Sequence, residues 1–316
     1  MQFLSAETIA DLVTMPGLVH AIKRAFVASD VTPPRLVVSV PGGTGKRQFL
    51  GMPAFDRRGG AAVKLTMLYP DNAAKGLPVN QAVIVVFSDS GTPVAVLDGT
   101  IVTHLRTSAT SALASRYLSR PDSRRLLVAG TGALAPFMAV AHCSARAIEE
   151  IEVWGRDRAK AERTAARIRS MVRKEIEVGA CEDLPGAAST ADIISCATSS
   201  SEPYLEGQWL RPGVFLDLVG SFTPQCREVD DNAVRKSRLF VDTVEGAMSE
   251  AGDILGPLSR GVISRSDIEG GLADLVNGRT TGRQDAEEIT LFKSVGTAIE
   301  DLAAANLILS RAEAAR

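Results

Sequence analysis

The run "RRLLVAGTGALAP", residues 124–136, restricts the fold more than any other stretch of the chain. A strand-length apolar segment stops at Gly130; Gly132 and Ala135 complete a G-x-G-x-x-A pattern, and helical spacing begins. At such a junction the first glycine permits a tight turn and the second lets a pyrophosphate approach the backbone. The small third residue lets the helix pack on its strand. The helix would then aim free N–H groups and its positive dipole end at the phosphates. Three small residues alone could equally be a plain turn, so the surroundings carry the weight. "RRLLVAG", "EIEVWG", "IEVGAC", "ADIISCAT", "GVFLDLVG" and "RLFVDT" read as strands, with "ALAPFMAVAHCSA" and "RDRAKAERTAARIRSMVRK" as helices after the first two. Strand–helix alternation of this kind predicts an α/β, doubly wound parallel sheet, the Rossmann arrangement.

The rhythm before this region is different. Residues 1–30 read as helical, with Ser5 as N-cap of "AETIADLV" and an apolar face along "GLVHAIKRAFVASD". From "PPRLVVSVP" onward, short β-branched runs alternate with turn residues: "RLVVSV", "RQFLGMPAF", "GAAVKLTMLY", "QAVIVVFS" and "PVAVLDG". Hairpins of an antiparallel sheet are expected there. "TSATSALASRYLS" is a helix leading into the second region, and 285–315 reads as one long alanine-rich helical segment. "PGGTGKR" at 41–47 looks like a phosphate loop, but Val40 stands where glycine is needed and Arg47 where Ser or Thr is needed. A hairpin turn is the expectation.

The end of the second parallel strand bears on the cofactor. An NAD site places an acid there to hold the ribose 2′-hydroxyl. Here "VWGRDRAKAE" puts Gly155 at that position and Arg156, Arg158 and Lys160 after it. A 2′-phosphate would be held by Arg156 through charge-assisted bonds, so NADPH is expected ahead of NADH. The same residues also suit a solvated helix start with Asp157 as its cap.

Three cations of the first region fall in or beside apolar runs: Arg35 after Pro33-Pro34, Lys64 inside "GAAVKLTMLY", and Arg106 opening the helix in "THLRTSATSA". Charged groups are rarely buried unless paired. Converging on one cleft, they would suit a small carboxylate; exposed on strand edges, they would mean nothing. His20, His104 and His142 are isolated, and His142 reads as a packing or surface residue, whereas His104 lies two positions from Arg106. Glu228 and Asp230 read as caps of the helix after the fifth strand, and Asp217 as a buried structural acid.

Bulk properties exclude several classes. With 35 Lys and Arg against 37 Asp and Glu, the net charge of −2 offers no general attraction to nucleic acid or an anionic membrane. Cys143, Cys181, Cys196 and Cys226 are dispersed without metal-ligand spacing, so reduced thiols, no metal and a cytoplasmic location are expected. No secretory leader and no membrane span is expected.

The pieces "PPRLVV", "GMPAF", "AVKLTMLYPDN", "GLPVNQAVIVVFSDSGTPVAVLDGTIVTHLRTSATSALAS", "VAGTGALAP", "VGSFTPQCREVD", "EAGDILGPL" and "ITLFKSVGTAIEDLAAA", in this order, resemble the ornithine cyclodeaminase/mu-crystallin family over nearly the whole chain. The resemblance implies a homodimer. It implies an antiparallel half-open-barrel domain for dimerisation and substrate binding, residues 1–117 plus 290–316, with an NADP-binding Rossmann domain, 118–289, inserted in it. It also implies that Arg35, Lys64 and Arg106 converge on a substrate carboxylate and the reacting carbon. Thr131, Gly132, Ala133, Arg156, Thr198 and Ser294 would contact the nucleotide. Family cyclodeaminases carry an Asp in the segment matching "GSFTPQCRE" where this chain has Phe222. A phenyl ring takes no proton, so ring closure of an amino acid loses its base.

The wording "GTGALAP" and "GSFTP" resembles the family's Δ1-pyrroline-2-carboxylate and Δ1-piperideine-2-carboxylate reductases. Reduction of a small cyclic imino acid is therefore expected, with Phe222 either walling the pocket or simply packing in the core. Lys64 would act either as proton donor or as a further grip on the carboxylate. Ornithine cyclisation, alanine-dehydrogenase-type amination, and NADPH-dependent ligand binding without turnover, as in mu-crystallin, stand as the alternatives.

Overall fold

A computed structural model describes residues 1–28, 31–42 and 47–316. They form two compact units, Met1–Thr107 with Thr297–Arg316, and Ser108–Gly296.

The first unit runs β1 (Gln2–Leu4), α1 (Ala6–Leu12), α2 (Met15–Ala28), β2 (Leu36–Ser39), β3 (Gln48–Phe55), β4 (Ala61–Leu68), β5 (Asn80–Phe87), β6 (Pro93–Asp98) and the start of α3 (Gly99–Leu118). Its sheet has the order β1-β6-β5-β4-β3-β2. The expected hairpins are present, from β2 through β6. Alternation sets the inward face: Met52 and Ala54 of β3, Ala62 and Lys64 of β4, and Ile84 and Val86 of β5 are buried. The last helix of the chain covers this face and packs on α2.

Two readings of this region are corrected. Residues 2–4 are a strand rather than helix, paired in parallel with β6; three residues are too few to show a period, and only the partner strand reveals them. Helix α3 starts at Gly99, so Arg106 lies two turns inside it rather than at its opening. Asp98 accounts for the earlier start, since its Oδ1 accepts the N–H groups of Thr100 and Ile101 at 2.9 and 3.0 Å. The expected turn at 41–47 falls largely outside the described residues; its flanks pair through Val40 N–H to the Arg47 carbonyl, 2.9 Å.

The second unit contains the end of α3, then β7 (Arg125–Ala129), α4 (Ala135–Ala145), β8 (Glu150–Trp154), α5 (Arg158–Met171), β9 (Glu177–Cys181), α6 (Leu184–Thr190), β10 (Ile193–Cys196) and β11 (Phe215–Leu218). There follow α7 (Asp231–Lys236), β12 (Ser237–Val241), α8 (Val244–Glu250), α9 (Gly252–Ser259), β13 (Ile268–Gly271), α10 (Leu272–Val276) and β14 (Ile289–Lys293). The chain ends, back in the first unit, with α11 (Ala298–Ala314). The sheet order is β13-β12-β14-β11-β10-β7-β8-β9, all parallel. All six strands expected here are present. The chain order reverses between β7 and β10, the switch point where open α/β sheets bind ligands beyond the strands' carboxyl ends.

The reading of 285–315 as one helix is wrong at its start. "ITLFK" is strand β14, seated between β11 and β12 with Thr290 to Lys293 buried. The β-branched and aromatic side chains suit a strand buried on both faces, where apolar residues run without alternation. Gly296, at φ 80°, separates it from α11. Strand β13 also escaped the sequence reading, because "IEGG" has almost no side chain to show a pattern.

Candidate functional site

Two constellations of candidate site residues stand out, one in each unit. In the second unit, β7 ends at Gly130, whose φ of 141° only glycine adopts readily. A Cβ there would stand 2.6 Å from the Ala197 carbonyl, so the β7 and β10 loops approach each other through this residue. Gly132, by contrast, has no atom within 4 Å of a Cβ and is exposed together with Ala133. Helix α4 follows with no side-chain cap and Pro136 in its first turn. Open backbone at a glycine and an uncapped helix N-terminus are what a pyrophosphate fills, so these residues fit a dinucleotide.

At the end of β8, a Cβ on Gly155 would stand 2.5 Å from Thr131 Cγ2. The space an NAD-type acid would enter is therefore occupied by Thr131. Arg156 is exposed, whereas Arg158 is engaged with Glu162 and Glu182. Asp157 does cap α5, accepting from Lys160 N–H at 3.0 Å.

Thr198 and Ser294 are placed differently from what a direct nucleotide contact through their donors would need. The Thr198 N–H and hydroxyl both donate to Glu228 Oε1, at 2.8 and 3.0 Å. Ser294 is buried and its hydroxyl donates to Asp242 Oδ2, 2.9 Å. Phe222 is half-buried and packs against the unit's core.

Glu228 is not a cap; Asp230 caps α7, accepting from Ala233 N–H at 2.7 Å. Fully buried, Glu228 also accepts Gly220 N–H at 3.0 Å, tying the loop after β10 to the loop after β11. Behind it stand Lys293 and Asp253, also fully buried, 3.0 Å apart, and Ser221 bonds to both. Burial pushes the Glu228 carboxyl up to about 6 despite Lys293; burial also works against the Lys293 ammonium, but Asp253 and Glu228 together hold it above its usual value. This charged cluster went unread in the sequence. Its signals were a lysine ending the apolar run "ITLFK" and an acid inside "AGDILG".

Asp217 is structural, as expected: buried, it accepts from Ser111 and Ser195 hydroxyls at 2.8 and 2.9 Å and lies 2.9 Å from His142 Nε2. His142 is thus a buried packing residue. Ser195 donates to the acid and not to the imidazole, and all three are sealed from solvent, so no nucleophile is activated. Burial also pushes the Cys196 thiol far above its ordinary range and Cys143 up to about 11, which leaves both inert. Among the described residues, no group of side chains has metal-binding geometry and no helix is long and apolar enough to cross a membrane.

The first unit gathers the three cations. Lys64 points inward from β4 between Met52 and Ile84 of the flanking strands, in an apolar layer. Its Nζ lies 3.0 and 2.8 Å from the two carboxylate oxygens of Asp301. Arg106 donates from Nε to the same Asp301 Oδ1, 3.0 Å, and from Nη1 to Glu300 Oε2, 2.5 Å. Lys64 is 3% exposed and Arg106 5%. Arg35 is half-buried at the head of β2 and near enough for its charge to act on Lys64. Burial first, then Arg106 and, more weakly, Arg35 depress the Lys64 amine to about 8, against the pull of Asp301. His104, two positions from Arg106 on one helix, faces elsewhere.

Glu300 and Asp301 were not anticipated. Adjacent acids inside "TAIEDLAAA" signal them, since every residue from 298 to 305 is buried and a charge there needs a partner. The first turn of α11 suits them, because the helix dipole favours negative charge at that end.

The profile of the ornithine cyclodeaminase/mu-crystallin family matches residues 1–316. A Delta(1)-pyrroline-2-carboxylate reductase of Colwellia psychrerythraea is 34% identical over 315 residues, 98% of this chain and 99% of that one. The ketimine reductase mu-crystallin of Mus musculus is 34% identical over 317 residues, 97% and 96% of the two chains. The structure of Thermococcus litoralis Delta(1)-pyrroline-2-carboxylate reductase in complex with NADH and L-proline superposes with a TM-score of 0.94 at 35% identity, covering 99% and 98%.

Proposed function

Because the chain belongs to the ornithine cyclodeaminase/mu-crystallin family, we propose that it reduces cyclic ketimine carboxylates with NADPH. Δ1-pyrroline-2-carboxylate would give L-proline, and its six-membered homologue Δ1-piperideine-2-carboxylate would give L-pipecolate. At the coarser level the chain is a nicotinamide-dependent oxidoreductase acting on carbon–nitrogen double bonds, like its named relatives.

One observation carries the substrate reading: Lys64 and Arg106 are buried on a shared carboxylate, with Arg35 close by. A guanidinium grips a carboxylate through paired N–H donors, which suits Arg106 and Arg35 to the acid group of the imine. Fixing that group fixes the neighbouring C2, and positioning is the main contribution a protein makes to such a reaction. A reduced nicotinamide, when bound, supplies the hydride. The protein must supply the proton, because an imine carbon accepts hydride well only when its nitrogen is protonated.

Lys64 meets that need. At about 8 its ammonium remains charged at neutral pH, yet it is a far stronger acid than an ordinary lysine. The sign of the pH dependence follows. An acid must hold its proton, so kcat/KM is expected to be level below pH 8 and to fall roughly tenfold per unit above it. Phe222 puts no base at its position in the second unit's loop for cyclising an open-chain diamine, and Glu228 and Asp230 of that loop are engaged by main-chain N–H groups. Proline formed from ornithine without added imine would contradict that assignment.

For the cofactor, Gly155 and Arg156 support NADPH. Gly155 places no acid at the end of β8, Thr131 Cγ2 crowds the position a side chain there would take, Asp157 is spent capping α5, and Arg156 stands exposed. Arg156→Ala is expected to raise the KM for NADPH by roughly 10–100-fold, the worth of a hydrogen bond to a charged group, and to leave that for NADH nearly unchanged. Steady-state rates for both imines with both cofactors test the pairing; equal losses for the two cofactors would overturn it. A homodimer is part of the reading, since Leu36, Val37 and Val38 lie exposed on the edge strand β2.

A further inference from the structure

We propose that Asp301 is a positioning residue for this reaction: its carboxylate holds Lys64 and Arg106 at one spacing and sustains the charge on Lys64. The inference rests on the imine-reductase reading and adds a residue to it.

The geometry is specific. Oδ1 of Asp301 accepts from Lys64 Nζ and from Arg106 Nε, each at 3.0 Å, so the two donor nitrogens stand no more than about 6 Å apart. Two like charges at that separation, both almost fully buried, stay together only if an anion lies between them. Glu300 cannot substitute. It takes the Nη1 side of Arg106, while Asp301 is the carboxylate bonded to Lys64. The anchor is rigid as well, because Asp301 sits 1% exposed in the first turn of α11, where the helix dipole favours its charge.

The charged surroundings of Lys64 are consistent across the elements that face it. The flanking strands present Met52 and Ile84, which are neutral. Arg35 and Arg106 oppose its charge, and Asp301 supports it. With Asp301 neutral, two arginines, an apolar layer and a Glu300 carboxylate engaged by Arg106 would remain, and Lys64 would release its proton at a lower pH. The proton that Lys64 gives the imine nitrogen is replaced from water after product leaves. Asp301 itself does not change protonation state in the cycle.

The test compares Asp301→Asn with Glu300→Gln in the full-length protein. The alkaline limb of kcat/KM is read, and the Lys64 amine is titrated directly by nitrogen-15 NMR, assigned through the spectrum lost in Lys64→Met. For Asp301→Asn we expect kcat/KM at neutral pH to fall about 10–100-fold, with the limb and the NMR titration both moving acidward by a unit or more. Glu300→Gln should weaken substrate binding and leave the Lys64 titration within a few tenths of a unit. Should Asp301→Asn fail to fold, Asp301→Ser carries the same prediction. A Lys64 titration unchanged by either Asp301 variant, or equal shifts for Asp301 and Glu300 variants, overturns the proposal. Since the NMR titration needs no turnover, a wild-type protein inactive on every imine would refute the imine-reductase reading and still leave the role of Asp301 decided.

Discussion

Lys64→Met is expected to lower kcat for imine reduction by about 10²–10⁴-fold, the range for losing a positioned general acid, and to abolish the alkaline limb near pH 8. Methionine keeps the unbranched shape that lies between Met52 and Ile84, so packing on the inward face of the sheet is retained. What disappears is the proton and one grip on Asp301. Arg106 remains bound to both Asp301 and Glu300, so the carboxylate site is not left as an unpaired anion. Substrate affinity should therefore fall far less than turnover. Stopped-flow NADPH oxidation at saturating imine measures the first effect, and titration with L-proline the second. A variant with wild-type kcat would remove Lys64 from the chemistry and leave it as a binding cation.

The second large effect is on stability. Gly220→Ala is expected to cost about 3 kcal/mol or more, lowering the melting temperature by roughly 10 °C. The new methyl would stand 2.0 Å from the Thr198 nitrogen and 2.2 Å from its carbonyl oxygen, both main-chain atoms at the junction after β10. No rotamer relieves such an overlap, so one of the two loops must move. Gly220 also donates to Glu228 Oε2 at 3.0 Å, and the same carboxylate group holds Thr198. Movement therefore breaks the link between the loops and should weaken NADPH binding as well. Gly179→Ala is the control: its Cβ meets nothing within 4 Å, and thermal melts should show little change. A Gly220→Ala protein that melts with wild type would mean that the loops yield freely.

Much of this architecture was legible because its signals are local. Strands half-buried on one face alternate, as around Lys64, and the glycine pattern after β7 announces its own turn. The failures share a physical cause. Strand β1 is specified by its neighbour β6 rather than by three residues of its own. "ITLFK" resembles the apolar helix that follows it, and only its seat between β11 and β12 makes it a strand.

The site divides in the same way. Cations inside apolar runs stand out, so Lys64 and Arg106 were found. Their partners Glu300 and Asp301 are adjacent acids in an alanine-rich helix, a signal that gains meaning only once that turn of the helix is known to be buried. Glu228 reads as a cap in the sequence because caps are recognised by position along the chain. Its actual role depends on burial between two loops, which no spacing reveals.

In the proposed reaction, cations of the first unit hold the acid group of an imine for reduction. The most direct measurement is NADPH oxidation by the wild-type protein with Δ1-pyrroline-2-carboxylate, set beside 2-methyl-Δ1-pyrroline, the same ring without the carboxylate, and beside pyruvate with ammonia. Rapid oxidation, with one L-proline formed per NADPH, is expected for the carboxylated imine alone. Oxidation no faster than with the carboxylate-free ring, or turnover confined to pyruvate and ammonia, would contradict it.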